Sequence, residues 1–212
     1  MNFMNEAIKI SRPVWQKSMN LPFIQELKTG KLSKDRFNLY LEQDNIYLLY
    51  YVKLCGKAIY NSKGNEEISL YLSLISFAFD TEIGTRTENL DKKNSVNVLL
   101  ENQRYIDFIM SFSNDYNNDR ILLVLLHCML SYQYVFTMIA KDNVVKNSEY
   151  YFFIKDYLSD DYRDACNRWT EFANKKYSSL SESKKIELID IFKKASLLEY
   201  DFWNMAYEGI NR

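Results

Sequence analysis

Apolar residues recur three and four positions apart along almost the whole chain, and no stretch sustains the strict alternation of a half-buried strand. This spacing predicts a first helix over about 2–19, bent or interrupted at Pro13. Asn20 ahead of Pro22 reads as a cap with proline at the start of a second helix, and Gly30 as its left-handed stop. Ser33 caps a long helix over about 34–60, which the run Asn61-Ser62-Lys63-Gly64 ends. Asn65, followed by two glutamates, opens a helix over about 66–91; Ser95 or Asn97 begins the next, to about 112. The polar run Asn114 to Asn118 reads as a loop, and a strongly apolar helix over about 119–141 follows. Shorter helices are expected over 148–158 and 160–177. Ser179 with Glu182 three residues on reads as a capping box for the last helix, about 181–208.

Composition strengthens this picture. The 212 residues include 5 Gly and 2 Pro, where average usage would give roughly 25. That deficit argues against sandwiches, barrels and propellers, whose frequent turns need Gly and Pro chemistry. No linker, repeat or low-complexity tract divides the chain, so the expectation is an all-α, single-domain helical bundle over residues 1–212. A formal charge of −1 provides no electrostatic footprint for nucleic acid. The N-terminal residues lack a continuous signal-peptide core, and the longest unbroken apolar run, Ile121 to Leu126, is far shorter than the ~18 residues of a membrane span. Cys55, Cys128 and Cys166 are odd in number and far apart, which fits a reducing, cytoplasmic compartment and neither a disulfide framework nor a zinc site. A single histidine, His127, rules out His-rich metal centres, and no metal is expected.

Three constellations carry candidate chemistry. Tyr40, Asp44, Tyr47 and Tyr51 stand at i, i+4, i+7 and i+11, and Phe37 extends the same side. An acid in such a stripe either sits at a solvent edge or is paired with polar groups in a cavity, since bare burial is costly. The plainer reading is a packed tyrosine face with one satisfied acid. On the apolar helix, Cys128 and Tyr132 share a face at i, i+4. A free cysteine is most often a small buried hydrophobe. His127 is turned about 100° from Cys128 around the helix, so it reads as structural, or as a helix–helix contact, and not as that thiol's base. On the last helix, Glu199 and Phe202 lie at i, i+3 among aromatics that ordinarily serve docking, and Tyr157 adds a hydroxyl near a helix end.

At these residues the chain resembles the TenA/thiaminase II family, in its cysteine-containing type. The resemblance covers essentially the whole chain. Leu41-Glu42-Gln43-Asp44-Asn45-Ile46-Tyr47-Leu48 is similar to the family's acid-and-tyrosine helix, and Glu199-Tyr200-Asp201-Phe202-Trp203-Asn204-Met205-Ala206-Tyr207 to its C-terminal signature. Phe23 and the stretch Gly30 to Phe37 resemble the usual approach to the first of these. Cys128 and Tyr132 fall on the family's cysteine-x-x-x-tyrosine motif, and Tyr157 on a further active-site tyrosine.

The resemblance implies the haem-oxygenase-like fold and hydrolysis of the C–N bond at the methylene attached to a 4-amino-2-methylpyrimidine ring. Aminomethylpyrimidine or thiamin would give hydroxymethylpyrimidine for thiamin salvage. It implies Cys128 as nucleophile on the ring, Glu199 as general acid and base at the ring nitrogen, and Asp44 as anchor of the amino-pyrimidine edge. Tyr47, Tyr132 and Tyr157 would orient these groups and the leaving amine or water, and Phe202 would stack on the ring. The substrate is then a small aminopyrimidine, with no metal or organic cofactor and with no nucleic-acid or membrane partner. The family's assembly implies a homotetramer.

Three positions depart from the family pattern. His127 stands where proline usually precedes the cysteine; Arg86, in the segment Asp80 to Arg86 beside Gly84, stands where a histidine is common; and Ser95-Val96-Asn97-Val98 offers no tyrosine near the start of the following helix. These departures mark an alternative, a non-catalytic pyrimidine- or amine-binding regulatory member of the same fold. A haem protein rests on fold analogy alone and lacks an N-terminal-helix histidine to act as proximal ligand. A transcriptional role has no basic recognition helix to support it.

Overall fold

The computed structural model describes residues 2–78 and 97–209. Among the described residues there are nine α-helices: α1 (Phe3–Met19), α2 (Pro22–Thr29), α3 (Lys34–Asn61), α4 (Asn65–Phe77), α5 (Leu100–Met110), α6 (Asp119–Ile139), α7 (Tyr151–Ile154), α8 (Asp160–Lys176) and α9 (Glu182–Glu208). Tighter 3₁₀ turns at Asn143–Asn147 and Lys155–Leu158 flank α7. No strand occurs among these residues, in agreement with the all-α expectation.

Local chemistry explains the helix ends, and it corrects several expected ones. α1 runs unbroken through Pro13. The proline removes the donor for the carbonyl of Lys9, but both residues are exposed, so water can serve that carbonyl. Asn20 ends α1 instead of opening α2; Leu21 takes the N-cap position of α2, ahead of Pro22. Gly30 has φ 73°, the expected left-handed stop. Ser33 caps α3 through the amide of Arg36. On α9 the cap is Ser181, whose hydroxyl accepts from the amide of Lys184, and not Ser179. The 148–158 segment is a short α-turn between two 3₁₀ turns instead of one helix. The expected stretch of helix beyond Ala78, and the start at Ser95, lie outside the described residues.

The chain divides into two compact units. The first comprises Met1–Leu32 and Leu126–Asn204. In it α1 packs on α8, and the amide of Met4 donates to Asn174 Oδ1 at 2.9 Å. α2 is held to the turn at Asn143–Asn147, where Lys28 pairs with Asp142 at 2.7 Å. The Ser148 hydroxyl donates to the Leu27 carbonyl at 2.6 Å, and the Tyr150 hydroxyl to the Leu32 carbonyl at 2.5 Å. Trp15, Trp169 and Trp203 are buried in this unit's core.

The second unit comprises Ser33–Leu125 and Met205–Arg212. Here α3 carries both α4 and α5. α5 begins at Leu100, not at Asn97, because its cap comes from another helix. Buried Gln43 of α3 accepts from the amide of Leu99 at 3.0 Å through Oε1 and donates to the carbonyl of Asn97 at 3.0 Å through Nε2. Asn102 Nδ2 donates to the Gln43 carbonyl at 2.7 Å. Asn118, expected as plain loop, is buried and donates to the Ala58 carbonyl at 2.9 Å and to Glu67 Oε1 at 3.1 Å. Arg36 closes the end of α9 by donating to the Tyr207 carbonyl at 3.0 Å and lying over that residue's ring at 3.8 Å.

α6 is apolar on every side, with mean hydropathy 1.7 over an 18-residue window, so by length and composition it passes the test for a membrane span. Within the fold 72% of that window is buried. A helix that is hydrophobic all round because it is surrounded by protein accounts for both facts.

Candidate active site

Cys128 and Tyr132 stand on α6, and Ile121 to His127, the seven residues before Cys128, are all fully buried. Cys128 itself is only partly buried, whereas Cys55 and Cys166 are enclosed. Burial pushes the Cys166 thiol up to about 12 and the Cys55 thiol higher still, because a thiolate loses its hydration there. Of the three thiols, Cys128 alone has access to solvent.

α9 meets α6 along a stripe of Ser196, Glu199 and Trp203, spaced i, i+3 and i+7. Ser196 Oγ lies 2.8 Å from His127 Nε2, Glu199 Oε2 lies 3.7 Å from His127 Nδ1, and Trp203 Nε1 donates to the Tyr132 hydroxyl at 3.2 Å. Contacts advance together along both helices, so the two run parallel here, and the residue before Cys128 faces the candidate acid. Glu199 is 2% exposed. His127 is enclosed as well, and burial pulls its imidazolium down to about 3, which leaves a neutral ring at pH 7. His127 is a helix–helix contact, one of the two roles its place on the helix suggests; its polar partners come from α1 and α9, which no local pattern reveals.

Tyr157 is buried in the same unit. Its ring is 5.0 Å from that of Tyr132 and stacks on Phe136 at 4.9 Å. Tyr162 stands edge-on to it at 5.2 Å. Phe202 is buried on α9 next to Trp203. The first unit therefore brings Tyr132 and Tyr157 together, and sets Glu199 against the turn that carries Cys128.

In the second unit Phe37, Tyr40, Asp44, Tyr47 and Tyr51 form one buried side of α3, as their spacing predicts. Asp44 is buried within that side and not at a solvent edge. The Tyr51 hydroxyl donates to the Leu125 carbonyl at 3.3 Å. Tyr105 of α5 packs on Tyr47 with ring centroids 4.7 Å apart and is itself buried. The first turn of α5 offers no tyrosine; the one facing Tyr47 sits in its second turn. Arg86, Gly84 and the rest of Asp80 to Arg86, with Ser95 and Val96, lie outside the described residues.

Among the described residues no group of three or more His, Cys, Asp and Glu side chains is placed to hold a metal ion. What the first unit does offer is a solvent-accessible thiol one residue from a histidine that faces a buried carboxyl group.

The chain is similar over nearly its full length to proteins of known name. An aminopyrimidine aminohydrolase of Halalkalibacterium halodurans is 24% identical over 98% of this chain and 96% of its own. The Helicobacter pylori protein of the same name is 24% identical over 94% and 95%. The solved structure of a TenA homologue from P. horikoshii OT3 superposes with TM-score 0.83 at 25% identity, covering 99% of this chain and 100% of that one. The fold is the all-α, haem-oxygenase-like fold of these TenA structures. A family model matches residues 9–209, and the chain belongs to the TENA/THI-4/PQQC family.

Proposed function

We propose that this protein is an aminopyrimidine aminohydrolase of the thiaminase II type, which hydrolyses the C–N bond at the methylene of a 4-amino-2-methylpyrimidine in thiamin salvage. The names of the full-length relatives support the activity. The observation that carries the assignment of roles is the exposure of Cys128 alone among three thiols, one residue from the histidine facing buried Glu199.

The reaction runs through the ring. The Cys128 thiolate forms a C–S bond to the ring carbon beside a ring nitrogen, and that nitrogen takes the proton of Glu199. With aromaticity broken, the lone pair of the 4-amino group and the ring electrons expel the leaving group with the C–N bonding pair, so that the exocyclic ammonium of aminomethylpyrimidine departs as ammonia and the thiazolium of thiamin as neutral thiazole. Water then adds to the exocyclic methylene and gives its surplus proton to solvent or the departing amine, the C–S bond breaks to restore the thiolate, and the proton on the ring nitrogen returns to Glu199. Asp44 accepts hydrogen bonds from the amino-pyrimidine edge. Tyr47, Tyr132 and Tyr157 orient the reacting groups, and Phe202 stacks on the ring. Tyr105, against Tyr47, supplies the tyrosine that the first turn of α5 lacks. The reaction asks for no metal or organic cofactor.

The chain acts as one domain over 1–212, a reading supported by a family match that runs through both compact units. It works as a cytoplasmic homotetramer; light scattering at four times the 25.3 kDa chain mass is the expected result. The decisive assay sets wild type beside Cys128→Ser with aminomethylpyrimidine and with thiamin. Near-complete loss in the variant is expected, and full retention removes the covalent mechanism. Binding of hydroxymethylpyrimidine without its release from either substrate makes the protein a regulatory binder instead.

A further inference from the structure

We infer that His127 is a positioning residue for Glu199, held by Trp15 and Ser196 in the tautomer that points an N–H at the carboxyl group. The inference rests on Glu199 being the acid of the proposed reaction.

The hydrogen-bond roles follow from what each group is able to do. The indole N–H of Trp15 only donates, and it lies 3.1 Å from Ser196 Oγ and 3.4 Å from His127 Nε2. A proton on Nε2 would confront that indole N–H. Nε2 is therefore assigned as the acceptor, taking the Ser196 hydroxyl at 2.8 Å in preference to that hydroxyl's other acceptor, the Phe192 carbonyl at 3.2 Å. The ring is neutral, because full burial opposes its charged form. Its one proton then sits on Nδ1, the nitrogen facing Glu199 Oε2 at 3.7 Å.

That separation is longer than a hydrogen bond, and such contacts tighten when substrate is bound. The chemistry says when this one matters. As Glu199 gives its proton to the ring nitrogen it becomes a carboxylate, and Nδ1–H is a donor already aimed at the charge that develops. A donor that gains strength only as charge develops lowers the barrier and leaves substrate binding alone. His127 thus does more than replace a proline in the family pattern. It provides a fixed donor beside the acid, with Trp15 and Ser196 setting its tautomer.

The chain has one histidine, so the imidazole nitrogen spectrum of the ¹⁵N-labelled, unliganded protein at pH 7 contains a single, self-assigned ring. A protonated Nδ1 with an unprotonated Nε2 is expected; an Nε2–H tautomer or an imidazolium overturns the proposal. In the assay, His127→Leu is expected to lower kcat by about 10- to 100-fold, less than the roughly 100- to 1000-fold for a donor in direct contact with the reacting atoms, with KM unchanged. His127→Asn, which keeps an N–H donor near Nδ1, is expected to recover most of that loss. Should His127→Leu fail to fold, Ser196→Ala provides the same reading by releasing Nε2, with a smaller fall in kcat. Wild-type kcat in His127→Leu, or in Ser196→Ala where the former does not fold, overturns the inference while leaving the hydrolase standing. An active Cys128→Ser or an inactive wild type overturns the proposed mechanism or activity, and the nitrogen spectrum still decides the hydrogen-bond pattern.

Discussion

Three thiols with one intrinsic chemistry are given different reactivities by their surroundings. Cys55 and Cys166 are enclosed, and burial holds both in the protonated form well beyond neutral pH, Cys166 at about 12. Cys128 keeps partial access to solvent. Limited alkylation of the native protein at pH 8 should therefore modify one site first, and peptide mass mapping should place it at Cys128; equal labelling of Cys166 would contradict the burial argument. The spacing of Cys128 and Tyr132 was legible from the helix period. That the cysteine emerges just as a fully buried run ends was not, because exposure depends on what the neighbouring helices cover. Glu199 stood out for the same reason as Asp44, an acid among aromatic rings. The partner of Glu199 did not, since His127 is 72 residues away in the chain and a helix–helix contact read from one helix does not name the residue it meets on the other.

At the level of elements, Gln43 settles where α5 begins. Its side chain and carbonyl serve Asn97, Leu99 and Asn102, groups that an isolated helix start would leave to water or to a local cap. Gln43→Ala leaves the half-buried Leu99 amide and the exposed Asn97 carbonyl without those partners, at about 0.5–1.5 kcal/mol for each hydrogen bond lost. Thermal unfolding should show a clear fall in Tm, and fluorescence should report altered packing of Tyr105 on Tyr47. An unchanged Tm would show that α5 is held by its apolar face alone. Ser33 and Gly30 were predictable as caps because their partners are three or four residues away. Asn97 was mistaken for a cap because the true one comes from a residue 56 positions earlier.

For the whole molecule, buried neutral His127 makes stability depend on pH in a defined direction. Its ordinary value near 6.5 falls to about 3 in the folded state. Between those limits the unfolded chain takes up a proton that the folded one refuses. The contribution is complete above about pH 6.5 and is lost as pH falls, by up to about 1.4 kcal/mol per pH unit, until the folded-state value is reached. Urea midpoints at pH 7.5 and 5 should separate more for wild type than for His127→Asn, which has no titrating ring; identical separations would mean that the ring is protonated without unfolding.

The sequence by itself determined the helical class, most helix spans, the tyrosine and acid face of α3 and the family. All of these depend on periodicity, turn composition and short motifs, which are local properties. Tertiary structure alone decided which thiol is exposed, which tyrosine meets Tyr47, how α5 is capped and what His127 is for. Each of those is a contact between residues far apart in the chain, and only packing brings such residues within hydrogen-bonding or van der Waals range.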